Sequence, residues 1–247
     1  VLLKYPKKGT QYMAKLTGRF LDAIKNRHTT VLGMTRSGKT FFTGHVLEHL
    51  QDDGVHTIFV DPKHDRDYEN LGEVCYDAVE VYAKLMKKCP RIVFRTPAAA
   101  DERIAELDKL VELVFQLQRS DGFRRIRRVI AIDELQLYVK KGGSRAVETI
   151  WTVGAGIGIV GMALTQRMQL LNDTVYTQSE NKVIFKIDDR PDYLKSKNLE
   201  HYPRDYFFDD MNKYWFYYTV GGGAWKKHEP IPINKPKSPS TLHMKRW

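Results

Sequence analysis

The run Gly33-Met34-Thr35-Arg36-Ser37-Gly38-Lys39-Thr40 holds residue types that together can grip a polyphosphate. Its spacing is G-x-x-x-x-G-K-[ST]. Gly33 and Gly38 let the backbone curl, so the N–H groups of Thr35, Arg36, Ser37 and Gly38 can point inward at phosphate oxygens. Lys39 brings a cation to the β- and γ-phosphates, and the Thr40 hydroxyl can hold Mg²⁺. A second group of chemistry-bearing residues is Asp133-Glu134, at the end of the apolar run Arg128-Val129-Ile130-Ala131-Ile132. Asp133 would hold the Mg²⁺ shell through water, and Glu134 would orient and deprotonate an attacking water. Adjacent acids at a strand end are commonly plain loop solvation. A phosphate loop in the same chain tips the balance toward catalysis. ATP and Mg²⁺ are therefore the expected cofactors.

These residues need elements that bring them together. His28 to Leu32 reads as a short strand entering the loop. Thr40 to Leu50, with Phe42, Val46 and Leu50 four apart, reads as the helix leaving it. The helix N-terminus adds its dipole to anion binding. Further strands are expected at 57–60, 91–95, 128–132, 159–164 and 181–187. Helices are expected at 11–26, 77–88, 101–119 and near 144–154. Strands alternating with helices predict an α/β fold with a central, mostly parallel sheet flanked by helices. One domain over residues 1–247 is expected, with its core at about 26–190. A C-terminal β-hairpin and an extended Pro/Lys-rich tail fill about 201–247.

The hairpin region is dense in Tyr, Phe and Trp, from Tyr206 to Trp225. Aromatics beside basic residues can stack on single-stranded bases. Packing at a sheet edge is the favoured role. At 42% hydrophobic the chain can build a sizeable core. No run is long and apolar enough to cross a membrane, and the start of the chain does not read as a signal peptide. Cys75 and Cys89 are not in metal-ligand spacing, so a reduced, intracellular protein is expected. A net charge of +10 points to an anionic partner. Arg119, Arg124, Arg125, Arg127 and Arg128 precede the Asp133 strand, and Lys140, Lys141 and Arg145 follow it.

The strand end Ala163-Leu164-Thr165-Gln166-Arg167 narrows the class. A polar side chain there, beside the acidic strand, can touch both the γ-phosphate and the attacking water. With the segment His28–Thr40, Val60-Asp61-Pro62-Lys63 and Ile132-Asp133-Glu134, it resembles the FtsK/HerA superfamily of DNA-pumping ATPases. Viral ATPases that package double-stranded DNA genomes are the branch that the compact size suggests. The resemblance implies a RecA-like P-loop NTPase core, a hexameric homo-oligomeric ring around double-stranded DNA, and ATP hydrolysis at subunit interfaces. On the matched positions, Lys39 and Thr40 would bind phosphate and Mg²⁺, Asp133 the metal and Glu134 the water. Gln166 would be the sensor. Capsid or membrane-vertex proteins would be further partners, in the host cytoplasm and on the virion. A conjugation or partition pump of a mobile element is the alternative, and a non-hydrolysing nucleotide-gated scaffold is a third. Two departures stand out. Arg36 occupies a position where the family usually has glycine. The segment before the sensor strand, Gly154-Ala155-Gly156-Ile157-Gly158, lacks the family's frequent arginines. Arg145 then leads as the finger that completes a neighbour's site, with Arg167 and the 119–128 cluster behind it.

The loop carrying Lys140 and Lys141 is the leading DNA contact, and Arg124 with Arg125 is the second. Phosphate contacts are sequence-independent and salt-sensitive. Replacing Lys140 and Lys141 with alanine should weaken duplex binding and reduce the log–log salt slope by about 0.9 per lost contact. An unchanged slope in a salt titration would move the DNA surface to Arg124–Arg128.

Overall fold

In the computed structural model, residues 18–139, 144–187 and 214–231 are described. Lys140, Lys141, the first half of the 11–26 helix, Tyr206 to Phe208 and the tail beyond residue 231 lie outside them. The first helix, α1, spans Gly18–Asn26 and leads into β1 at Thr29–Leu32. α2 (Lys39–Asp52) and β2 (His56–Asp61) follow. A 3₁₀ turn at Arg66–Leu71 leads to β3 (Glu73–Cys75), α3 (Ala78–Met86) and β4 (Arg91–Arg95). Then come α4 (Ala100–Arg119), β5 (Arg128–Ile132), α5 (Arg145–Val153) and β6 (Ile159–Thr165). α6 (Asp173–Gln178), β7 (Asn181–Phe185), β8 (Phe216–Thr219) and β9 (Lys226–His228) complete the set. No described helix is long and apolar enough to cross a membrane.

The sheet order is β3-β4-β2-β5-β6-β1-β7-β8-β9. The run from β3 to β7 is parallel, and β8 and β9 are antiparallel to their neighbours. This is the expected α/β fold with a mostly parallel sheet. The central strands β1, β5 and β6 are buried at every residue. Burial on both faces explains why they read as continuous apolar runs rather than alternating ones. Alternate side chains divide between two cores. Ile58, Val60, Ile130 and Ile132 face Leu107, Val111 and Val114 of α4 and Val147 and Ile150 of α5. Phe59, Val129 and Ala131 face the other way, toward Phe42, Val46 and Leu50 of α2 and Phe20 of α1.

The aromatic hairpin is a sheet edge. Phe216, Tyr217 and Tyr218 are buried. Phe216 packs on Phe42 with ring centroids 5.2 Å apart and on His228 at 4.7 Å. β3, α6 and the 3₁₀ turns have no counterpart in the sequence expectations; each is six residues or fewer, too short to show a period.

One buried group braces β1 from behind the site. His28 is 5% exposed and stacks on Trp151 with centroids 5.5 Å apart. Its Nδ1 accepts the Gly161 backbone N–H at 2.9 Å. A Cβ on Gly161 would sit 2.5 Å from the Trp151 ring, so glycine alone lets β6 and α5 approach this closely. Because Nδ1 accepts, the proton sits on Nε2, which has no partner among the described residues. Burial pushes the imidazole down to about 4. In the unfolded chain it titrates near 6.5. Between these values the unfolded chain binds the extra proton, so stability falls as pH drops from about 6.5 to about 4. The loss at the acid end is about 3 kcal/mol for this one group. His28→Asn should flatten that part of a stability-against-pH curve measured by urea unfolding; an unchanged slope would place the acid sensitivity elsewhere.

Candidate nucleotide and catalytic site

The site lies at one edge of the sheet, where four adjacent parallel strands end together. Register pairs Val60 of β2 with Ile132 of β5, Ile132 with Ala163 of β6, and Thr165 of β6 with Leu32 of β1. Each strand therefore delivers its next residues to one crevice. β2 delivers Asp61 and Lys63, β5 delivers Asp133 and Glu134, β6 delivers Gln166, and β1 delivers the loop 33–40. The carboxyl ends of parallel strands are where ligands bind in open α/β sheets.

The loop has the shape of an anion cradle. Gly38 sits at φ 111° at the start of α2, in the left-handed region that favours glycine. A Cβ on Gly33 would lie 2.6 Å from Phe185 Cβ and 2.7 Å from Ser37 Oγ. Lys39 is 8% exposed, and its ammonium donates to the carbonyls of Gly33 at 2.6 Å and Met34 at 3.0 Å. Burial pushes Lys39 down to about 8, against the pull of Glu134 and Asp133. The Ser37 hydroxyl is buried without a partner among the described residues. A buried cation and an unspent donor on an open-glycine loop fit a polyphosphate.

Arg36, standing where glycine is expected, has φ 61° and an exposed side chain. The expected glycine is thus a backbone requirement, and this chain meets it with a strained arginine.

The acids are buried and locally paired. Asp133 is 3% and Glu134 4% exposed. Glu134 has φ 47°, a sparsely populated conformation for a side-chain-bearing residue. Its Oε1 accepts from Lys63 Nζ and Gln166 Nε2, and its Oε2 from Gln136 Nε2. Burial would raise its carboxyl, but the bonds from Lys63, Gln136 and Gln166 outweigh burial and hold it below the usual range. Asp133 moves the other way. Burial raises it, and Lys63 at 3.5 Å offsets part of the rise. Thr35 Oγ1 donates to Gln166 Oε1 at 2.8 Å. Gln166 thus joins the loop to Glu134. Thr165 Oγ1 holds Gln136 at 2.8 Å. Tyr68, from the 3₁₀ turn, bonds Thr40 at 3.0 Å and Asp133 at 3.2 Å.

Among the described residues no cluster of three or more His, Cys, Asp or Glu could hold a metal alone. Thr40 and Asp133, both oxygen donors, converge on one tyrosine hydroxyl. That fits Mg²⁺, which takes one or two protein oxygens and completes its shell with phosphate and water.

Gly33, Thr35, Arg36, Ser37, Gly38, Lys39, Thr40, Asp133, Glu134 and Gln166 lie together at this crevice. Arg145 does not join them. It lies at the start of α5, in a groove of about 490 Å³ lined by Asp108, Glu112, Phe115 and Arg119 of α4. Arg124, Arg125 and Arg127 are exposed just before β5, at the opposite edge of the sheet from the loop. Arg128 is fully buried and donates to Gln118, so it leaves the basic surface. Sequence reasoning missed the roles of Lys63, Tyr68 and Gln136. Lys63 had a signal, since it lies two residues past a strand that parallels the acidic one. Tyr68 had none, because only the tertiary fold brings its turn to Thr40.

The mostly parallel sheet flanked by helices, with the loop 33–40 between β1 and α2, is the P-loop NTPase fold. No protein-family model and no curated protein sequence matches this chain. Among solved structures, the chain is similar to the genome packaging NTPase B204 of Sulfolobus turreted icosahedral virus 2 in complex with AMPPCP. The TM-score is 0.71 at 17% identity, covering 85% of this chain and 100% of that one. VirB4 of Thermoanaerobacter pseudethanolicus gives 0.64 at 12%, covering 84% and 89%. The pCW3 conjugation coupling protein TcpA with ATPγS gives 0.56 at 16%, covering 83% and 60%. These neighbours are FtsK/HerA-type P-loop ATPases, so the resemblance drawn from the motifs holds at the level of the fold.

Arg36→Gly should stabilise the protein by on the order of 0.5–1 kcal/mol, the relief of left-handed strain less the entropy of glycine. Arg36→Val should destabilise it. Urea midpoints for the two variants check both signs; a destabilised glycine variant would mean that the arginine side chain holds the loop.

Proposed function

We propose that this chain is an ATP-hydrolysing motor that moves double-stranded DNA, with a viral capsid as the destination. The observation that supports this best is the convergence of Lys39, Thr40, Asp133, Glu134 and Gln166 at the ends of four adjacent parallel strands. Lys39 and the loop N–H groups hold the β- and γ-phosphates. Thr40, and Asp133 through water, hold Mg²⁺, which neutralises phosphate charge when bound. Glu134 accepts the proton of the attacking water. Its Oε1 already accepts from Lys63 and Gln166, and its Oε2, which accepts from Gln136 alone, keeps a lone pair for the water. Gln166 already touches Thr35 and Glu134, and so is placed to signal occupancy of the loop to the base. The single chain has no arginine from α5 near the loop. A neighbour in a homo-oligomeric ring, hexameric in this proposal, would supply one, with Arg145 the leading candidate. The exposed basic segments would track DNA phosphates.

A conjugation pump is the second reading, favoured by the likeness to TcpA. A major capsid gene beside this one supports packaging; conjugation genes there would support the alternative.

Glu134→Gln should keep ATP binding and lower DNA-stimulated phosphate release by about 10²–10⁴-fold. Lys39→Ala should lose nucleotide binding. Arg145→Ala mixed with Lys39→Ala should recover activity that neither has alone, since each carries the part the other lacks. Wild-type turnover by Glu134→Gln would remove Glu134 as the base. No recovery in confirmed mixed rings would remove Arg145 from the trans role. ATP binding without hydrolysis by the wild type would leave a nucleotide-gated scaffold.

A further inference from the structure

Tyr68 sits between the two groups that the cation would need. It is 1% exposed, and its ring packs on Phe59 with centroids 4.1 Å apart. Its hydroxyl lies 3.0 Å from Thr40 Oγ1 and 3.2 Å from Asp133 Oδ2. An ionised carboxylate only accepts hydrogen bonds, and a phenol has one proton. Tyr68 therefore donates to Asp133. The bond between Tyr68 and Thr40 must then run from Thr40, whose proton points at the phenol oxygen. The turn that carries Tyr68 is itself braced. The Asp65 side chain accepts from Asp67 N at 3.0 Å, and Arg95 binds Glu69 at 2.9 Å and the Asp65 carbonyl at 3.3 Å.

The consequence concerns lone pairs. A threonine hydroxyl that binds a cation must turn its lone pairs to the metal and its proton away. A free rotor spends part of its time with the proton facing the cation. We propose that Tyr68 is a positioning residue for the metal shell: its oxygen accepts a hydrogen bond from Thr40 and its hydroxyl donates one to Asp133 Oδ2. The Thr40 lone pairs and Asp133 Oδ1 are then left to face Mg²⁺ and its water. The proposal rests on the nucleotide-site reading above. Outer partners of metal ligands commonly matter by 10–100-fold in metal affinity.

Tyr68→Phe keeps the ring and its packing and removes only the hydroxyl. The experiment is equilibrium binding of a fluorescent, non-hydrolysable ATP analogue across a Mg²⁺ titration and in excess EDTA. The Mg²⁺ midpoint should rise about tenfold in the variant, while affinity in EDTA stays unchanged. A residue that merely packs would lower both together. Thr40→Val removes the hydroxyl that Tyr68 orients, so adding Tyr68→Phe to it should shift the midpoint by less than Tyr68→Phe does alone, the remainder coming from the lost bond to Asp133. Thermal unfolding of each variant without nucleotide checks the fold, and Tyr68→Leu, which loses the ring, reports the cost of packing alone. An unchanged midpoint in folded Tyr68→Phe, or a full additional shift on top of Thr40→Val, overturns the proposal. Wild-type protein that binds no analogue with or without Mg²⁺ would overturn the nucleotide-site reading itself.

Discussion

The constraint on which the site depends is the parallel register of β2, β5, β6 and β1. Four strands pointing the same way end at the same edge, and whatever follows each of them is brought within side-chain reach. Lys63, Asp133, Glu134, Gln166 and Lys39 are scattered over more than a hundred residues of sequence. One-residue slips would be costly because these strands are buried on both faces and alternate between two distinct cores. The same packing that makes the fold stable therefore fixes the geometry of the crevice. The loop needs nothing more than a strand to enter by and a helix to leave by.

Electrostatics then sets the condition of the site. Two acids and two lysines are brought together in a largely buried crevice, where an unpaired charge would be expensive. The chain solves this by pairing them internally. Lys63 serves both acids, Gln136 and Gln166 occupy Glu134, and Lys39 folds onto the carbonyls of its own loop. A carboxylate with three donors on two oxygens is weakly basic. A lysine bound to its own loop has its charge in place but its ligand bonds committed. Engagement of a triphosphate would exchange internal bonds for bonds to the ligand, with little net change in buried charge. That exchange links occupancy to the freedom of Glu134, because Gln166 holds both Thr35 and Glu134.

Much of this was legible in the sequence, for identifiable reasons. The loop is read directly because its chemistry needs fixed residue types at fixed spacing. β5 and β6 are read from apolar runs, and the run length reports two-sided burial. Gln166 is found because it follows such a run. The aromatic hairpin is resolved in favour of an edge because Phe216 and Tyr218 alternate on one face against Phe42 and Phe20. What stayed hidden depends on tertiary approach. Tyr68 lies in a six-residue turn with no period to betray it. Gln136 acts only because Thr165, from the neighbouring strand, orients its amide. Arg128 looks like one more surface arginine in a run of five, and only the packing of β5 against Gln118 buries it.

The path from Glu134 to the proposed DNA loop is short and taut. Glu134 opens a single 3₁₀ turn at Leu135–Leu137, closed by the bond from Leu137 N to Glu134 O at 2.8 Å. Tyr138 follows, fully buried, with its hydroxyl 2.8 Å from Thr96 Oγ1 at the end of β4. The Tyr138 carbonyl accepts from Ser144 N at 2.8 Å, so the chain on either side of Lys140 and Lys141 is clamped at a common base. Ser144 caps α5 by accepting from Val147 N, and its hydroxyl donates to Asp108 of α4 at 2.6 Å. One turn and one buried tyrosine thus separate Glu134 from the point where Tyr138 and Ser144 are joined. Arg124 and Arg125 have no such connection, since the whole length of β5 separates them from Glu134. If the two basic surfaces both touch DNA, the chemistry of the site acts directly on the 140–145 segment, and the opposite edge serves as a passive grip.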